Sequence, residues 1–510
     1  MSTSAQPNGR GSAESVARNF LWNLSAGGWG VLLALVATPV VVHRLGASAY
    51  GVYALFGVLL AYLKFTELGM SRAVERPGAT ALGSDQEDRV VSYAETALWL
   101  QGSVALVVGA GVAVGGPALL GGFEIPAEYA VEATQAIRLL AVGMAVSLIT
   151  GIPNALLRAY QRFSTLNRIS IVSQTLVTFL VVTAALLHPT LVALVLATVI
   201  GGVLRLGLTA LFGLRLLPRL PRPRLDRDSL RELLSFGGSL TLSSLIAPIL
   251  VHSEKLLMGA LVGTAALTYY IVPYRVLSRF SLVSGALSNA LFPFLSDLEG
   301  QGSHSRMKRT AGRATGLLAW VLLPPFALIL VAGDRLLALW MGEDFAVQAR
   351  GILPFLVVGT YVNLLAQNSV AAIQARGRPG LLAWLYLGEL VLYLPLAWGL
   401  MVRFGAQGAA AAWCTRVTAD TLLVRWIAGR LLPDEPTRPA SRPWPTVTAL
   451  TLVLGGALIT AGPVHGLGAL TVGFVLAAAL SVLAWLVALT ARERAAFLRA
   501  ASAVVRWRTA

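Results

Sequence analysis

Stretches of about twenty apolar residues recur along the chain from residue 20 to residue 490, separated mostly by short loops. Each is long enough to cross roughly 30 Å of hydrocarbon as a helix. That feature commits the chain to a lipid solvent, where backbone polar groups must be satisfied inside helices or closed barrels. Barrel strands would alternate polar and apolar residues, and these runs do not. Composition agrees: 13% of residues are charged, against about 25% in an ordinary soluble domain. Mean hydropathy is +0.72.

The apolar segments are 20–42, 47–66, 91–120, 133–157, 167–187, 190–217, 233–253, 262–294, 314–332, 351–374, 380–402, 405–429, 444–462 and 467–490. They predict an all-α polytopic protein of about fourteen transmembrane helices. The first run is too long for a signal-peptide core of about 7–15 residues and reads as a retained helix. Every second loop is basic. Arg72, Arg76 and Arg89 lie in one such loop, Arg158, Arg162 and Arg168 in the next, and Arg219, Arg222, Arg224, Arg227 and Arg231 in a third. The positive-inside rule then places both termini in the cytoplasm of a multi-pass inner-membrane protein. The net charge of +16 sits in these loops, so it predicts membrane orientation and no nucleic-acid partner.

The chain also repeats itself at an offset of about 216 residues. Gly46…Tyr50-Gly51-Val52-Tyr53 is echoed by Gly263…Tyr269-Tyr270 and Tyr274, the run 158–163 by 374–379, and Arg215-Leu216-Leu217-Pro218 by Arg430-Leu431-Leu432-Pro433. Six helices per repeat is an even number, so the two lobes are parallel. The expected organisation is a cytoplasmic segment 1–17, an N-lobe 18–218, a cytoplasmic linker 219–231 and a C-lobe 232–433. A linker with a C-terminal helix pair, 434–490, and a basic cytoplasmic tail, 491–510, complete it.

The first helix pair carries Asn19-Phe20-Leu21-Trp22-Asn23, Pro39, Arg44-Leu45-Gly46 with Tyr50-Gly51-Val52-Tyr53, and Glu67-Leu68-Gly69-Met70. The second half opens with Glu254-Lys255, Gly259, Val262-Gly263, Tyr270 and Pro293. Together these resemble the bacterial polysaccharide transporter family, whose members flip polyprenyl-diphosphate-linked oligosaccharides such as O-antigen units. Its superfamily includes the multidrug-and-toxin extrusion transporters and the lipid II flippase. Glu254 departs from the family's commoner Asp. The resemblance implies two six-helix lobes around a central cavity that opens alternately to either side. It also implies a cationic cavity, with positive residues on helices 1, 2 and 8 as in the lipid II flippase.

An anionic diphosphate head calls for arginine, whose planar fork binds two oxygens at once. A charge deep in a membrane helix usually faces water. Arg275 and Arg279, four apart on helix 8 with Tyr270 and Tyr274 a turn earlier, are the first candidates; the alternative is snorkelling to an interface. Lys64 and Glu67 on helix 2 are either a gate pair or the end of that helix. Arg18 anchors helix 1 or joins Asn19 and Asn23 in binding sugar hydroxyls. Glu254 and Lys255 either latch the lobes or cap a loop. Arg416 and Asp420, four apart in helix 12, are expected to neutralise one another. Glu389, in mid-helix 11 with no sequence-local partner, is either a proton or cation site or a hydrogen-bonded carboxyl.

Neither a Walker lysine motif, nor a metal-binding His pair, nor a nucleophile elbow is evident, and Cys414 is the single cysteine. The expectation is a non-enzymatic flippase without cofactor or metal. It would use alternating access, with a lipid-linked sugar as substrate, the bilayer as solvent, and a glycan polymerase or glycosyltransferases as further partners. Two rival readings are a cation-coupled small-molecule or drug exporter of the same superfamily and a non-transporting scaffold of a glycan-assembly complex.

Overall fold

A computed structural model of the chain describes residues 9–67, 69–432 and 467–483. Side chains at 9–26, 63–65, 236–248, 467–469, 472 and 483 are outside the description. The seventh expected span, 233–253, falls partly on these side chains, and the thirteenth, 444–462, lies outside the described residues altogether. Among the described residues the structure is helical, with no β-strand. The helices are α1 Gly9–Leu45, α2 Ala47–Leu63, α3 Met70–Gly83, α4 Glu87–Leu120, α5 Ala127–Ala159, α6 Phe163–Leu187, α7 Leu191–Gly213 and α8 Arg227–Leu261. They continue as α9 Thr264–Ser278, α10 Ser281–Gly300, α11 His304–Met341, α12 Glu343–Ala349, α13 Leu353–Ala375, α14 Pro379–Leu431 and α15 Leu467–Leu483.

Eight of these helices are long and apolar enough to cross a membrane. Their outer faces carry Val36, Leu106, Trp384 and Leu392, each more than 70% exposed. A surface this apolar is matched by acyl chains rather than water. α14 covers two of the expected spans. Gly405 bends it with φ 55° and ψ −133°, a conformation open to glycine, separating an arm 379–404 from an arm 406–431.

Two expected spans are interrupted. The run 47–66 leaves α-helical geometry at Leu63, passes through a 3-10 turn Lys64–Glu67, and restarts as α3 after Gly69 at φ 67°. The run 262–294 is not one helix: α9 ends at Ser278, two turn residues follow, and α10 begins at Ser281. In that turn Arg279 N–H and Phe280 N–H bond back to Val276 and Leu277, the tighter spacing of a terminating helix.

The internal repeat is written into the turns. Left-handed backbone occurs at Gly46 and Gly263, at Asp85 and Gly302, and at Gln161 and Gly377, each pair 216 or 217 residues apart. Near the last pair, an arginine ties each turn to a glutamate: Arg158 to Glu75 at 3.6 Å and Arg376 to Glu299 at 2.6 Å.

By packing, the chain forms two compact units, Met1–Ile271 and Val272–Ala510. In the first, α5 lies against α4 and α7, α6 bridges α1 and α7, and the amphipathic α3 packs on α4, α5 and α8. α8, which the repeat places at the start of the second half, packs against α2, α3 and α4. Its first turn is tied to α4: Asp226 caps α8 by accepting from Ser229 N–H at 3.0 Å, and Glu232 accepts from Tyr93 at 2.6 Å and Arg89 at 3.0 Å. In the second unit α13 is the most buried candidate span, set against α10, α11 and α14. α15 lies on α11, where Gly473 meets Leu328 and Ala332 closely.

Candidate functional site

Arg275 and Arg279 are both exposed at the break between α9 and α10. Arg275 is in the last turn of α9, whereas Arg279 lies beyond the helix end, so the expectation of one continuous helical face does not hold. At about 1.5 Å per residue, they stand roughly 16 and 22 Å along the chain from the start of α9. With the start of α9 set at one face of the bilayer, both would fall inside a hydrocarbon layer of about 30 Å. Tyr274 packs edge-on against Trp413 with ring centroids 5.4 Å apart. Tyr270 is fully buried.

The equivalent interruption in the first half holds Lys64 and Glu67 in the 3-10 turn. The Lys64 side chain lies outside the described ones, as do those of Arg18, Asn19 and Asn23 on α1. Glu67 accepts a hydrogen bond from Ser71, and its backbone carbonyl accepts from Gln101 Nε2 at 2.6 Å. Gly151 on α5 makes room for this cluster: a Cβ there would stand 2.7 Å from Ser71 Oγ and 3.2 Å from Glu67 Oε1. Gln101 is fully buried with its Oε1 unpaired, and Asn154 Oδ1, one turn beyond Gly151, is also buried and unpaired. Gln101, Asn154 and Ser71 escaped the sequence reading. Their signal is a polar side chain inside an apolar run or beside the Glu67 break.

Glu254 and Lys255 are buried in the first unit and paired with each other at 2.5 Å, with Lys255 Nζ also donating to Val251 O at 2.7 Å. Nearby, Tyr62 on α2 donates to Ile249 O at 3.2 Å and its ring lies 6.0 Å from that of His252. Beyond this cluster the α8–α9 turn packs on α2 and on the α4–α5 loop. Thr268 Oγ1 donates to Ala47 O at 2.6 Å, Gly51 lies directly against the Thr264 carbonyl, and Glu124 N–H donates to Gly259 O at 2.9 Å.

In the second unit, Glu389 on the first arm of α14 meets Arg416 and Asp420 on the second arm. Arg416 Nη1 stands 3.5 Å from Glu389 Oε2, and its guanidinium lies over the Tyr393 ring at 5.1 Å. The bend at Gly405 brings Glu389 to the same arginine that lies one turn before Asp420, a partner that local spacing did not show. Both carboxyl oxygens of Glu389 and Oδ1 of Asp420 are buried without a hydrogen-bond partner.

Cations exposed where membrane helices break, charged clusters sealed within helical units, and a duplicated helical plan together define a multi-pass membrane transporter. The chain belongs to the polysaccharide biosynthesis protein family, whose model matches residues 41–350. It is 24% identical over 418 residues to a Shigella flexneri protein assigned as an O-antigen transporter, covering 82% of this chain and 98% of that one. Among solved structures it is similar to the lipid II flippase MurJ in an inward closed conformation, with TM-score 0.70, 10% identity, and coverage of 91% of this chain and 97% of that one. It is also similar to an inward-facing multidrug resistance MATE family transporter of the MOP superfamily, with TM-score 0.62, 15% identity, and coverage of 81% and 94%. At such identities the two structures speak to the fold.

Proposed function

We propose that this chain is a flippase that carries polyprenyl-diphosphate-linked oligosaccharide or polysaccharide precursors across the inner membrane by alternating access. The observation that carries the reading is the exposure of Arg275 and Arg279 at the α9–α10 break. A guanidinium at that depth is stable where water reaches it, and it presents two donors to a phosphate. Lys64, in the repeat-related interruption of the first half, is the matching cation, and Arg18, Asn19 and Asn23 on α1 would add donors for phosphate and sugar.

In this reading both termini face the cytoplasm. The diphosphate head enters from that side, the lipid tail stays in the bilayer, and the head leaves on the other face. The close packing of the α8–α9 turn on α2 would hold the outer side shut while the head enters. Glycosyltransferases or a glycan polymerase would supply or consume the substrate. A unit charge crossing 100 mV is worth about 2.3 kcal/mol, so two phosphate charges leaving a negative interior gain roughly twice that. The test is reconstitution of the full chain into vesicles with a labelled polyprenyl-diphosphate sugar. Movement of the head between leaflets, lost in Arg275→Ala with Arg279→Ala, supports the reading. A wild-type chain that moves no head group contradicts it.

A further inference from the structure

The most concentrated set of buried ionisable groups lies away from the cation sites, where the two arms of α14 meet. Glu389, Arg416 and Asp420 are each less than 10% exposed. With all three ionised the cluster would hold one uncompensated negative charge in a medium that penalises it. Glu389 Oε1 and Oε2 and Asp420 Oδ1 are buried with no hydrogen-bond donor, and two carboxylates gathered about one guanidinium repel each other. One proton on the pair answers both: it supplies a donor and brings the cluster to neutrality against Arg416.

The other polar neighbours leave this balance unchanged. On α14 itself, Tyr386 lies near both carboxyls and Tyr393 stacks on Arg416. α13 packs on both arms with Val370 and Ile373, and accepts from Thr421 through its Val362 carbonyl. Among the described residues, α13 adds no charged side chain to the pair.

We infer that Glu389 and Asp420 form a single-proton exchange site, with Arg416 as its fixed counter-charge, and that this proton is the coupling ion of the transport cycle. Release leaves two carboxylates facing one guanidinium and delivers H⁺ to water; rebinding restores neutrality. Because the carboxyls sit on opposite arms, proton occupancy changes the attraction between the arms across Gly405.

The coupling half of this inference rests on the flippase reading; the proton site does not. The first experiment is infrared difference spectroscopy of the purified full chain in lipid nanodiscs during a rise in pH. A carboxylic C=O band should disappear in wild type and be missing in Glu389→Gln and in Asp420→Asn. No such band in wild type, or one that persists in both variants, overturns the site.

Thermal unfolding supplies a second readout that a simple ion pair would not give. Each single variant keeps one carboxylate for Arg416 and should unfold near wild type, whereas the double variant strands the guanidinium and should unfold far lower. A collapse of Glu389→Gln equal to that of the double variant overturns the shared proton. In vesicles at clamped potential, a proton gradient should change wild-type flipping and leave Glu389→Gln indifferent. Equal gradient responses in the two proteins overturn the coupling, while absence of flipping in wild type overturns the flippase reading and leaves the spectroscopic result to decide the site.

Discussion

Thr268 donates a 2.6 Å hydrogen bond to the carbonyl of Ala47, 221 residues away. The partners of this contact are related by the chain's own duplication. At an offset of 217, Ala47 matches Thr264 and Gly51 matches Thr268, and Gly51 lies against the Thr264 carbonyl. Each repeat therefore offers its first helical turn to the other. A side chain at 51 would collide with backbone, which explains a glycine where the second half carries threonine.

This seam predicts a conformational lock. In a Cys414→Ser background, the pair Ala47→Cys with Thr268→Cys, which spares the crowded Gly51, should cross-link under mild oxidation and stop flipping until reduced. Free flipping in the fully cross-linked protein would rule out separation of this seam during transport. Thr268→Val, which removes a net hydrogen bond of about 0.5–1.5 kcal/mol, should weaken the seam without unfolding the protein.

Arg275 and Arg279 are predicted to matter through geometry as well as charge. A charge-assisted hydrogen bond is worth about 1.5–3 kcal/mol, so either alanine variant should slow flipping roughly 10- to 100-fold. Lysine keeps the charge and loses the fork, and should recover only part of the rate. Equal rates for arginine, lysine and alanine at both positions would remove these residues from the substrate path.

The Glu254–Lys255 pair is fully buried, and its variants should separate pairing from charge. Lys255→Met removes the cation beside a buried carboxylate and should cost about 3–5 kcal/mol of stability. Replacing both residues, with Glu254→Leu added, should recover most of that loss, because the cost of desolvating two charges disappears as well. Thermal unfolding of the three proteins in detergent compares them directly.

Asp226 predicts an acid limb in stability. Hydrogen bonds from Ser229 hold its carboxyl below the ordinary carboxylate range. Its contribution is thus fully present above the unfolded value of about 3.9 and is lost as pH falls through the lower folded value. Asp226→Asn should unfold earlier than wild type near neutrality, and the difference should shrink on acidification. A gap that widens toward low pH would contradict the assignment.

Much of the fold was legible because membrane helices announce themselves by apolar length. The duplication could be read at Gly46 and Gly263, since a left-handed turn constrains the residue that makes it. The two helix interruptions were not legible. The Lys64–Glu67 turn depends on Gln101 and Ser71 binding Glu67, and these contacts come from different helices or a later turn. Glu389 stood out as a lone carboxyl for the same reason, because its partner is supplied by the bend at Gly405 rather than by sequence neighbours. Candidate cations were visible as types and depths. Their exposure at a helix end, as for Arg279, required the fold.

The most direct test of the central claim is the rate at which the reconstituted full chain moves a polyprenyl-diphosphate sugar head across vesicles under an imposed potential. The account predicts movement that quickens when the side the head leaves is made negative, and that falls at least tenfold when Arg275 and Arg279 are both replaced by alanine. Movement at the same rate without those arginines, or no movement by the wild-type chain, would contradict it.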